Sequence, residues 1–198
     1  MNDENLSPEP GTPSSNQRKA RYLGVAGFVC FLVLLTQLWI PQWFPKNSEL
    51  DMKSAVELKH YPVDALDGVV DATGLTLDKA ISSDGNGAFR ITSSGATTIR
   101  LYETGDLDIE NTMLVYQAKM RTENFEGQAY LEMWCQFSKG EYFSKGLNAP
   151  LSGTTEWQTE ATPFFLKEGE NPTNVKLSVT LNGKGTVWID DIRVFRKP

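Results

Sequence analysis

Sorted into apolar and polar positions, the chain falls into two unlike parts. Tyr22 to Ile40 is a run of 19 residues without a formal charge. After Val56 apolar residues instead alternate with polar ones, the period of strands that bury one face. The clearest case is Gly127 to Phe137. Ala129, Leu131, Met133, Cys135 and Phe137 form one apolar row, while Tyr130, Glu132, Trp134 and Gln136 point the other way. Phe89 and Ile91, then Thr97, Ile99 and Leu101, put apolar groups on odd positions. Leu114 to Met120 puts them on even ones, leaving Gln117, Lys119 and Arg121 outside. Val175 to Leu181 is another half-buried strand, and Thr186 to Phe195 closes the pattern around Asp190-Asp191. Turn signals separate these runs: Asp67-Gly68, Asp84 to Gly87, Ser94-Gly95, Gly105-Asp106, Glu126-Gly127, Ser152-Gly153 and Asn182 to Gly185. No stretch after Val56 keeps a helical period over three turns. The expectation is an all-β domain over 56–198, a two-sheet sandwich of about eight to ten strands.

The uncharged run reads differently. As a helix it spans about 28 Å, close to the hydrocarbon thickness of a bilayer. Arg18, Lys19 and Arg21 precede it, and the first cation beyond it is Lys46. The positive-inside rule therefore predicts a single transmembrane helix over 22–40 with its N-terminus in the cytoplasm. A cleaved signal peptide would want a shorter apolar core and a small-residue site, and Leu38 to Trp43 is bulky throughout. Residues 1–21 are rich in Asn, Ser, Pro and Glu and predict a disordered cytoplasmic tail. Residues 41–55, with Pro41 and Pro45, read as a stalk. The β domain is then displayed beyond the cytoplasmic (inner) membrane, periplasmic or extracellular.

Charge narrows the partners. The formal net charge is −6, and Met1–Pro45 holds three residues of each sign, so the excess lies wholly in 46–198. No basic stripe exists to neutralise phosphates, which argues against nucleic acid. Two cysteines, Cys30 in the apolar run and Cys135 on a core row, make no disulfide framework.

Three groupings bear on chemistry. Tyr130 and Trp134, interleaved with Glu132 and Gln136, suit a sugar-binding surface, with Gln117, Lys119 and Arg121 expected on a neighbouring strand. Aromatic faces stack on sugar C–H patches, and the polar groups reach hydroxyls. The same row also fits a covered face, with Tyr142 and Phe143 packing onto it. Asp190-Asp191, adjacent acids in a half-buried strand, must be solvated, hydrogen-bonded or metal-bound; calcium is one reading, with Asp78 a third ligand and the carbonyls of Asp84 to Gly87 as complement. A bulge whose acids cap backbone N–H groups is the other. Catalysis has little to stand on: the single histidine, His60, permits no triad, and Glu132 is the one acid with suggestive neighbours.

The run Ser83 to Ile91, Trp157 ahead of a strand, and the closing Gly185 to Val194 together resemble the jelly-roll carbohydrate-binding modules of the galactose-binding-like superfamily, over roughly Asp64 to Phe195. The resemblance implies a jelly-roll β-sandwich, glycan binding on a concave sheet or in end loops, and a structural calcium near an acid of the last strand. Other members are structural or protein-binding modules. The resulting expectation is a membrane-anchored, non-catalytic module for an envelope carbohydrate; the rival is a scaffold domain docking a membrane-protein partner.

Overall fold

The computed structural model describes residues 50–198, and the expected tail, membrane helix and the greater part of the stalk lie outside them. Among the described residues no helix is present, so none is long and apolar enough to cross a membrane. Eight strands occur there: β1 (Val56–Tyr61), β2 (Leu75–Asp78), β3 (Ala88–Glu103), β4 (Thr112–Phe137), β5 (Gly140–Lys145), β6 (Leu151–Gly153), β7 (Gln158–Leu166) and β8 (Asn174–Lys197). They pair antiparallel in the order β2-β3-β8-β4-β5, with β1 on β8 and β6 and β7 on β4.

Three of these strands are far longer than the usual five or six residues. β4 runs beside β8 for almost its whole length, from Met113 opposite Lys197 to Gln136 opposite Asn174. Both halves of β4 nevertheless feed one core. Leu114, Tyr116, Ala118 and Met120 join it from the first half, and Ala129, Leu131, Met133 and Cys135 from the second. The strand must therefore fold over that core, supplying both layers of a β-sandwich.

The change from even to odd core positions coincides with a register shift between Glu123 and Glu126. A bulge inserts a residue and flips every later side chain to the other face. β8 repeats the device. Val175 to Ile189 face the core on odd positions, Ile192 and Val194 on even ones, and the pairing shifts where Asp191 takes a φ of 48°.

Here the expected strand breaks need correction. Ser94-Gly95, Glu126-Gly127 and Asn182 to Gly185 lie inside β3, β4 and β8 rather than between strands. Gly127 pairs directly with Gly183, and a Cβ on either would overlap the partner's backbone. These glycines mark a close crossing of two bent strands, which a sequence reads as a turn.

The alternation itself holds. Phe89, Ile91, Ile99 and Leu101 join the core, as do Val175, Leu177, Val179 and Leu181. Cys135 is fully buried and unpaired, and burial pushes its thiol up to about 12.

Candidate functional site

Turning the core row of β4 inward leaves Glu132 and Trp134 on the outer face of its second half. Register places their neighbours. Glu132 sits opposite Ser178 of β8 and Lys145 of β5, and Trp134 opposite Lys176 and Phe143. Ser178 in turn faces Arg100 of β3, and Thr180 faces Thr98. Residues Val70 and Asp71 wall the far side, because their N–H groups donate to the carbonyls of Leu101 (2.9 Å) and Arg100 (3.0 Å) at the edge of β3. The result is a cleft of about 520 Å³ across four strands. Thr98, Arg100, Ser178 and Lys176 share its floor with Glu132 and Trp134, and Glu141 stands on the β5 side. That size lies within the ordinary range for small-ligand sites.

Trp134 is the aromatic ring lining the cleft, and it is held in place. Its Nε1 donates to Glu132 Oε1 at 2.5 Å, and its ring lies 4.9 Å from that of Phe143. Glu132, 5% exposed, uses its other oxygen to accept from Thr180 Oγ1 and to pair with Lys145 Nζ, both at 3.1 Å. Both oxygens of Glu132 are thus occupied, and the carboxylate acts as a clamp on the indole. The remaining charges pair as well: Lys176 with Glu141 at 2.5 Å, and Arg100 with Glu103 at 3.1 Å. Asp71 is held below the usual carboxylate value, chiefly by the hydrogen bond from the Thr73 N–H. The cleft offers a fixed aromatic plate among hydroxyls, cations that are each paired with a carboxylate, and Asp71.

The expected site residues divide. Glu132 and Trp134 line the cleft, and Gln136 is exposed on the same face two residues on. Tyr130 is covered, 4% exposed, with its hydroxyl accepting from Asn182 Nδ2 at 3.1 Å. Phe143 does pack on Trp134, as the covered-face alternative required, whereas Tyr142 packs on Phe137 instead.

Gln117, Lys119 and Arg121 do not sit on a neighbouring strand. They belong to the first half of β4, where Gln117 and Lys119 pair with β7 and all three pair with Trp188 to Arg193 of β8. Lys119 Nζ donates to Thr159 Oγ1 at 2.7 Å. Arg121 and Arg90 each lie over the Trp188 ring, at 5.6 and 5.7 Å. The cleft residues that sequence reading missed are Thr98, Arg100, Glu141, Lys145, Lys176 and Ser178. Period-two alternation already put Thr98, Arg100, Lys176 and Ser178 on an outer face, whereas Glu141 and Lys145 (the latter reaching the cleft only through Glu132) lie on β5, a strand the alternation did not reveal; which strands would lie side by side was not readable.

The acids proposed for calcium have other partners. Asp190, fully buried, accepts three backbone N–H groups: those of Ser83 (2.7 Å), Asp84 (3.2 Å) and Asp191 (2.7 Å). Burial pushes its carboxyl above the ordinary 3.8, against those three bonds. Asp78 accepts from Trp188 Nε1 (3.0 Å) and the Ala80 N–H (2.9 Å), which hold its carboxyl low, the indole bond most of all. Asp191 binds His60 at 2.9 Å and Arg193 at 2.6 Å. Calcium is held by converging oxygens, yet the turn before β3 presents Asp190 with N–H groups, positive ends first. This donor set does not fit the ion. Among the described residues no group of three or more His, Cys, Asp or Glu is placed to hold a metal.

No family model and no curated protein matches the chain. Solved structures do. The CBM22-1–GH10 modules of Clostridium thermocellum endo-1,4-beta-D-xylanase 10B, complexed with xylohexaose, superpose with a TM-score of 0.52 at 13% identity, covering 72% of this chain and 28% of that one. This chain therefore spans under a third of that xylanase structure. TmCBM61 in complex with beta-1,4-galactotriose gives 0.44 at 14% identity over 64% of this chain and 85% of its own. The CBM22-1 xylan-binding domain of Paenibacillus barcinonensis Xyn10C gives 0.44 at 10% identity over 72% and 95%. The first of these likenesses, at 13% identity, bears on the fold alone: this β-sandwich resembles a part of a xylanase structure that includes a CBM22-1 module.

Proposed function

We propose that the domain is a non-catalytic binding module that holds a neutral carbohydrate against Trp134 in the outer cleft. One observation carries this reading: an indole, locked by Glu132 and backed by Phe143, floors a cleft whose other lining residues, Val70 apart, are polar. A sugar presents C–H patches to a ring and hydroxyls to its surroundings, and the cleft matches both. Because Lys145, Lys176 and Arg100 are each paired with a carboxylate, the site carries no spare charge to attract an acidic ligand. The xylan and galactan ligands of the structural neighbours supply the first probes. The charge-free run at 22–40 completes the proposal as a membrane anchor, with the sandwich held on the far side of the inner membrane.

The test is retention of the full-length protein on xylan and on β-1,4-galactan, beside Trp134→Ala. Loss of the ring should weaken binding about tenfold or more, roughly 1.4 kcal/mol. Equal retention of the variant, or no retention of the wild type on any glycan, sinks the reading. The scaffold alternative draws on the covering of Tyr130, which leaves the cleft one aromatic rather than two; it predicts the second of those outcomes.

A further inference from the structure

A second cleft, of about 600 Å³, lies at the edge of the sandwich between β5 and the end of β7. Its surface is unusually aromatic for a soluble face. Phe165 is 72% exposed, Tyr142 56% and Phe143 54%. Phe137 and Phe164 lie beneath, with Phe137 edge-on to Tyr142 at 5.9 Å and tilted over Phe164 at 6.2 Å. Apolar area exposed in one place and rimmed by polar groups marks a contact surface. The rim here is Lys139, Lys167 and Asn171.

Phe143 links the two clefts, lining the second and packing on the indole that lines the first. Alternation along β5 places Glu141 and Phe143 on the same face as Trp134. The edge cleft is also preformed. The carbonyl of Lys167 accepts the N–H of Asn111 (3.2 Å) and of Glu170 (3.1 Å), and Asn171 Oδ1 accepts the Ile109 N–H (3.2 Å), so the loop forming its wall is tied down. A peptide adding to the β5 edge would meet Ser144, whose Oγ donates to the Pro163 carbonyl at 2.6 Å and already bridges that edge to β7.

We propose that the clefts form one continuous track, from Trp134 over Phe143 to Phe165, and that the ligand is a polysaccharide chain long enough to occupy both. This rests on the carbohydrate reading above and adds its own claim, a second subsite and a minimum ligand length. Rings at successive points along a track each stack on a different sugar of one chain, and linked contacts raise affinity with chain length until the track is filled.

The experiment is calorimetric titration of the full-length protein with β-1,4-xylan and β-1,4-galactan oligosaccharides from disaccharide to hexasaccharide. Wild type, Trp134→Ala, Phe165→Ala and Tyr142→Ala are compared, with thermal melts to confirm folding. Wild-type affinity should rise about tenfold or more from disaccharide to hexasaccharide. Phe165→Ala should lower hexasaccharide affinity about fivefold and leave the disaccharide unchanged. If affinity is flat with length, or both edge variants bind the hexasaccharide as wild type does while Trp134→Ala fails, the track is refuted and the single-cleft module stands. If the wild type binds no glycan in either series, the carbohydrate reading falls and the track falls with it.

Discussion

At the residue scale, two buried carboxylates do structural duties that the sequence presents as chemical options. Glu132 ties Trp134 to Thr180 and Lys145, so its contribution to any ligand runs through the indole it holds. Asp190 gathers three backbone N–H groups at the bulge of β8. These bonds are part-buried, so water can reach some of the donors left behind, and a donor left fully unsatisfied costs about 1–3 kcal/mol. Asp190→Ala should therefore lower stability by about 1–3 kcal/mol, read as a drop in the urea midpoint. EDTA should leave the melting temperature of the wild type unchanged. A fall in that temperature would show that oxygens, not N–H groups, meet this carboxylate in solution.

At the element scale, the glycine crossing is the feature on which the architecture turns. Gly183 faces Gly127 with the backbone of Glu126 where a side chain would begin. Gly183→Ala should destabilise by about 3 kcal/mol or more, since the obstacle is main chain and cannot rotate away. Gly140 is the control. It has a φ of 141° but nothing within 4 Å of an added Cβ, so Gly140→Ala should cost about 1–3 kcal/mol, the backbone strain alone. Equilibrium urea denaturation of both variants separates the two effects. Gly183 has no φ in the left-handed range, so a Gly183→Ala loss below about 1 kcal/mol would mean that the crossing relaxes around the added carbon. Glycine-rich stretches look alike in sequence whether they end a strand or let two strands touch. For that reason Asn182 to Gly185 and Glu126-Gly127 read as hairpin turns.

At the scale of the whole molecule, β4 and β8 thread both layers, and one core lies between the layers. Neither layer can open without disturbing the other. Trp134 reports on the second half of β4, and Trp188 on the part of β8 that pairs with the first half. Their fluorescence, followed in Trp134→Phe and Trp188→Phe variants, should change at the same urea concentration as the far-ultraviolet signal of the same variant. Separate midpoints within one variant would mean that the layers unfold as independent units. The same geometry sets the candidate site, because bending the long strands over the core leaves the outer face of one half available as a cleft.

What could be read along the chain follows from a local rule. Side chains alternate along a strand whatever lies beside it, so Leu131, Met133 and Cys135 were assigned to the core and Glu132 and Trp134 to an outer face without any partner being known. Turn signals and the lack of a helical period likewise point to an all-β body, and the described residues contain no helix. Pairing is not local. It depends on where β3 and β8 come to rest, with Arg100 lying 34 residues before Trp134 and Lys176 42 residues after it. Only the folded chain brings Arg100, Ser178 and Lys176 beside Trp134. It also sends Gln117, Lys119 and Arg121 to another stretch of sheet, buries Tyr130, and surrounds Asp190 with N–H groups. Burial pattern is written residue by residue; neighbourhood is set by long-range closure, and the candidate site is made of neighbours.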